Sequence, residues 1–122
     1  MKQFSIFFES ESVNAVSKML RETISGKMLW DVQSVVKKDS VSEEKIVGHI
    51  YTSKIDKNIV RLYQSIEANK PMKYILELYE ADSSGAPLWQ FPNINMVRDL
   101  YRVVDNNHSK AIGVLRKYIS EP

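Results

Sequence analysis

Apolar and polar residues alternate strictly through residues 3–8, with Phe4, Ile6 and Phe8 on one side, and this period of two predicts a half-buried strand. From residue 10 the period lengthens. Val13, Val16, Leu20 and Ile24 fall on one helical stripe, with Ser10 or Ser12 as N-cap and Gly26 as stop. "KMLWDVQSVVKK" returns to alternation, setting Trp30, Val32, Ser34 and Val36 against Leu29, Asp31, Gln33 and Val35. "IVGHIYTS" does the same, and the polar connection 37–44 makes the two a hairpin.

Residues 53–71 carry Ile59, Leu62, Tyr63 and Ile66 at helical spacing, which predicts a second helix capped by Asp56. Asn69 supplies its left-handed C-terminal residue and Pro71 stops it. "MKYILELYEAD" reads as a strand buried on much of both faces. Two short helices close the chain. The first carries Ile94, Val97, Leu100, Tyr101 and Val104 behind Asn93 or Asn95, the second Ile112, Leu115 and Ile119 behind Ser109.

Strand, helix, strand, strand, helix, strand is the order of a ferredoxin-like βαββαβ sandwich, an α+β fold with a four-stranded antiparallel sheet and two helices on one face, here followed by a C-terminal helical extension. The 122 residues suit one domain, divided into a βαββαβ core (1–82), a crossing loop (83–93) and the C-terminal helices (94–122). The expected core is Phe4, Ile6, Phe8, Trp30, Val32, Ile46, Ile50, Leu76 and Leu78. The opposite face would present Phe7, Val47, His49, Tyr51, Ile75 and Tyr79, too apolar to stay in water. It is expected to be covered by the C-terminal helices, to pair with a second copy in a homodimer, or to serve as a ligand or nucleic-acid platform. The loop "SSGAPLWQFPNI" sets Trp89 and Phe91 two apart in a stiffened extended piece, so both press into one apolar surface. Trp89 is expected to press into this chain, with Phe91 open to either side.

Apolar residues make up 43% and charged residues 26%, the balance of a folding chain rather than a disordered one. Without cysteine there is no disulfide framework, thiolate metal site or cysteine nucleophile. The N-terminus lacks the pattern of a signal peptide and no stretch approaches a membrane span, so a cytoplasmic protein without membrane contact is expected. Residues 94–122 hold Arg98, Arg102, Lys110, Arg116 and Lys117 against three acids, an excess too mild for a nucleic-acid footprint. The RNA-recognition version of the predicted fold also needs a basic, Gly-rich aromatic strand, which "KIVGHIYT" does not supply.

Catalytic constellations are equally thin. His49 and His108 stand in no spaced ligand motif, so neither a metal nor a cofactor is expected. Glu9 with Glu11, Glu43 with Glu44 and Glu77 with Glu80 read as capping or solvated charges. The scattered glycines form no phosphate-cradling loop. The expected function is therefore protein binding by surface complementarity, as in small inhibitors or adaptors such as bacterial toxin-neutralising immunity proteins. The partner is another protein, such as a toxin domain, and the expected surface is Trp89, Phe91, Arg98, Tyr101 and Arg102. The alternative is a small-ligand-binding or weakly enzymatic domain with Asp31, His49 and Tyr51 as the polar groups of a pocket between sheet and C-terminal helices.

Overall fold

The computed structural model describes the backbone of residues 2–33, 45–81 and 85–121, and side chains from residue 10 onward. The elements are α1 (Lys2–Ser25), β1 (Asp31–Gln33), β2 (Lys45–Ile55), β3 (Asn58–Ile66), β4 (Lys73–Glu80), β5 (Trp89–Gln90) and α2 (Asn95–Ser120). The five strands form one antiparallel meander in the order β1-β2-β3-β4-β5. An α+β class is therefore correct. The ferredoxin-like order is not what these elements make, because a helix opens the chain and no helix separates the central strands.

Two segments exchange the expected types. Residues 3–8 continue α1 rather than forming a strand. Residues 58–66 form β3, whose alternation sends Val60 and Leu62 to one face and Ile59, Arg61 and Tyr63 to the other. With apolar groups on both faces, Ile59, Leu62, Tyr63 and Ile66 imitate a helical stripe by coincidence, while β-branched Ile59, Val60 and Ile66 favour the strand. Asp56 caps no helix. It sits at φ 54 in the two-residue turn that pairs Ile55 with Asn58. Asn69 is left-handed as expected, at φ 64, but it turns β3 into β4.

Other expectations hold in their place. Residues 73–80 form a strand and Gly26 ends α1, with Gly26 N–H donating to Thr23 O and Lys27 N–H to Glu22 O. The hairpin between β1 and β2 is antiparallel, with Asp31 opposite Thr52, while its connection 37–44 lies outside the described residues. The strand expected across 27–38 is regular only at Asp31–Gln33 among the described residues. Ser12 is no cap but lies inside α1, with its side chain buried.

Both helices pack on one sheet face. Val16 and Met19 of α1 meet Val97, Leu100, Tyr101 and Val104 of α2 over Tyr51, Val60, Leu62 and Leu76. Tyr51 thus belongs to the covered face, contrary to the reading that set it outside, and Leu76 is core as expected. Ile50 joins Tyr63 and Ile75 in a small cluster on the opposite face. Val32 and Ile46, expected in the core, are exposed, whereas Trp30 and Leu78 pack against its edge. Phe4, Ile6, Phe7 and Phe8 have side chains outside the described set. The C-terminal extension is one continuous helix rather than two, and neither asparagine caps it, since the N-cap is Ile94. Its first half joins α1 over the same face and does not cover the other.

Candidate functional site

α2 crosses the sheet from β4 toward β2. Tyr101 meets Tyr74 at a tilt with ring centroids 5.6 Å apart, and its hydroxyl accepts from Gln64 Nε2 at 3.1 Å. One turn later Tyr51 Oη donates to Asp105 Oδ1 at 2.5 Å. Burial, then this bond to a carboxylate, raises the Tyr51 pKa well above that of an ordinary phenol. His108 then meets His49 edge-on at 5.0 Å, joining the two histidines of the chain. Among the described residues no group of three or more metal-ligating side chains could hold an ion, and no helix is long and apolar enough to cross a membrane. This network anchors α2 where it leaves the sheet.

Beyond His108 the helix runs on without being buried. Its stripe keeps the same angular position as Val97, Tyr101 and Val104, continuing through Ile112, Leu115 and Ile119. Val114, Leu115, Tyr118 and Ile119 are 64%, 54%, 76% and 78% exposed. Twenty-six residues make a helix of about 39 Å, while five strands at about 4.8 Å spacing span only about 19 Å. The overhang follows from that mismatch.

A second feature is a groove of about 740 Å³ between α1, the segment after it and the β2–β3 hairpin. Ala15, Met19, Met28, Leu29, Ile55 and Ile59 give it apolar walls. Its charged lining comprises Lys18, Lys27 and Lys54 with Glu22, Asp31 and Asp56. The groove is pinned from below, since Ser53 Oγ donates to Leu29 O at 2.5 Å.

On the face without a described helix, Arg61 lies over the rings of Tyr63 and Tyr79, at 5.2 and 5.1 Å. It also bonds Glu77 Oε1 at 3.0 Å and Tyr79 Oη at 2.9 Å. Burial works to lower the guanidinium pKa, but the Glu77 bond and neighbouring tyrosines leave it raised. Burial, followed by the Glu77 charge, pushes Tyr63 up to about 12. One guanidinium nitrogen is thus bonded to Glu77 and Tyr79, while the buried Arg61 Nε makes no hydrogen bond among the described residues.

The residues expected to bind a partner do not share a surface. Phe91 and Tyr101 are core, and half-buried Trp89 packs on that core while its Nε1 donates to Ser12 Oγ at 2.9 Å. Half-buried Arg98 lies 3.7 Å from Asp99, and Arg102 is exposed. The alternative trio is divided as well. Asp31 lines the groove, whereas His49 and Tyr51 belong to the network under α2. The overhanging stripe was visible as a pattern at Ile112, Leu115 and Ile119, but pattern alone did not say that, among the described residues, its outer part stays exposed.

Comparisons with protein-family models, with curated proteins and with solved structures give no match.

Proposed function

We propose that the protein works by binding another protein, as a small inhibitor or adaptor of the toxin-neutralising immunity type, and that its binding element is the overhanging half of α2. The exposure of Val114, Leu115, Tyr118 and Ile119 on one continuous helix carries this reading. At about 100 Å² each, they leave about 400 Å² of apolar surface in water, the size at which patches on folded proteins become binding sites. A helix end without tertiary support is also only marginally stable by itself, so a partner that accepts the stripe orders it too. Recognition then follows the helix-in-groove mode, with Val114 and Tyr118, and Leu115 and Ile119, as anchor pairs one turn apart.

The small-ligand alternative loses its expected pocket, because Tyr51 is sealed under α2 and only Asp31 reaches a groove. A photo-crosslinking side chain at position 118, against one at Arg102, tests the protein-binding reading in the cells that make the protein. A partner trapped at 118 and not at 102 is then titrated in pure form against Ile119→Glu. The expected loss is about 30-fold or more in affinity. Undiminished affinity would refute the assignment.

A further inference from the structure

The stripe on α2 requires an apolar groove of matching length with carboxylates along it, and the chain itself carries one. We propose that the overhanging half of α2 docks into the α1/β2–β3 groove of a second copy, reciprocally, so that two chains close a two-fold dimer. This rests on the reading of α2 as the binding element and names the partner that occupies it when no other protein does.

Three observations support the match. The first is size. A helix about 10 Å across, sunk to half its depth, fills about 40 Å² of groove cross-section, so 740 Å³ houses about 19 Å of helix. Residues 109–120 of α2 measure about 18 Å. The second is charge. The overhang brings Lys110, Arg116 and Lys117 with Glu121, and the groove, neutral overall with Lys18, Lys27 and Lys54, still sets Glu22, Asp31 and Asp56 along its length to pair with the cations.

The third is area. The stripe offers about 400 Å² and the groove wall about half as much, so two reciprocal dockings bury about 1,200 Å², the lower end of the range for specific interfaces. Leu29, 78% exposed on the groove wall, is covered by this docking. Reciprocity also matters for solubility, since a one-way docking of helix into groove would propagate into a filament. In the dimer the stripe is sheltered. A partner protein then competes with the second copy for α2.

The test is the mass of the full chain by light scattering across a micromolar concentration series. Wild type is expected at twice 14.1 kDa. Leu115→Glu removes the helix end and Leu29→Glu the groove wall. Both side chains are exposed in the single chain, so circular dichroism should remain native. Each change is expected to weaken self-association about 30-fold or more.

A monomeric wild type overturns the proposal. So does a dimer lost by Leu115→Glu but kept by Leu29→Glu, which would mean that stripes pair with each other. The broader reading fails on a different result, namely a trapped partner whose binding ignores Ile119→Glu.

Discussion

Replacing Gly48 by alanine places two penalties on a single added carbon. Gly48 sits at φ +75, where β2 shifts register against β3 between Val47 and Tyr51. A left-handed backbone costs about 1–2 kcal/mol for a residue with a Cβ. That Cβ would lie 3.1 Å from Tyr101 Oη and 3.3 Å from Gln64 Nε2, inside the contact distance of about 3.5–4.0 Å. Tyr101 cannot retreat, because its ring is wedged between Tyr51 and Tyr74 at 5.6 Å from each, and overpacking of this kind costs about 1–3 kcal/mol. Alanine also stiffens the unfolded chain, offsetting about 0.4–1 kcal/mol. The net expectation is a loss of about 2–3 kcal/mol. Urea unfolding followed by circular dichroism reads it as a lower midpoint with an unchanged slope. Gly113 gives the opposite sign: nothing lies within 4 Å of its added Cβ, so Gly113→Ala should gain up to about 1 kcal/mol. In the double variant Gly48→Ala with Tyr101→Phe, removing the hydroxyl should restore about 1 kcal/mol of the first loss. A Gly48→Ala protein within about 0.5 kcal/mol of wild type would refute both the left-handed bulge and the close approach of α2.

Three further outcomes are expected. Phe91→Ala should lose about 3–4 kcal/mol in the same urea assay, as a core truncation does, and a loss under about 1 kcal/mol would return Phe91 to the surface. Arg61→Lys keeps the charge but loses the planar contact with two tyrosine rings and should cost about 1–2 kcal/mol, measured as a shift in urea midpoint; an unchanged midpoint would show that the rings contribute nothing. Stability should be flat to about pH 10 and fall from there to about pH 12. Tyr63 keeps its proton in the fold up to about 12 while the unfolded chain releases it near 10, and Tyr51, Tyr79 and Tyr101 shift the same way. Urea midpoints taken with tyrosinate absorbance test this, and a midpoint unchanged between about pH 10 and 12 would contradict the burial of these rings.

How much of the fold was legible depends on how each element hides its apolar groups. β4 and the inner part of β2 were readable because Leu76, Leu78, Ile50 and Tyr51 stand in short runs bounded by turns. β3 was not, since its two faces are both apolar and the union of two strand faces can carry the spacing of one helix face. Asn69 and Asp56 illustrate the same limit from the other side. Their left-handed tendency is local and was visible for Asn69, but a left-handed residue ends a helix or turns a hairpin equally well, and only the pairing of Ile55 with Asn58 decides. The opening segment failed for a related reason: three aromatic or branched residues alternate over six positions, too short a window to outweigh a helix that continues to Ser25.

The candidate site was hidden by a quantity that no local pattern contains. Ile112, Leu115 and Ile119 fall on the stripe begun by Val97, Tyr101 and Val104, and a stripe of that kind ordinarily means burial against the same chain. Whether it is buried depends on how far the sheet extends beneath it. Five strands offer about half the length of α2, and among the described residues the last side chain with a ring contact to the sheet is His108, on His49. Everything after that point keeps the chemistry of a core helix while standing outside the core. The reverse holds for Trp89, Phe91 and Tyr101. Their aromatic character suggested an interface, yet α1 and α2 converge above them, and Trp89 closes the seam through Ser12 of α1. Composition names the residues able to anchor a partner, and element length decides which remain free to do so.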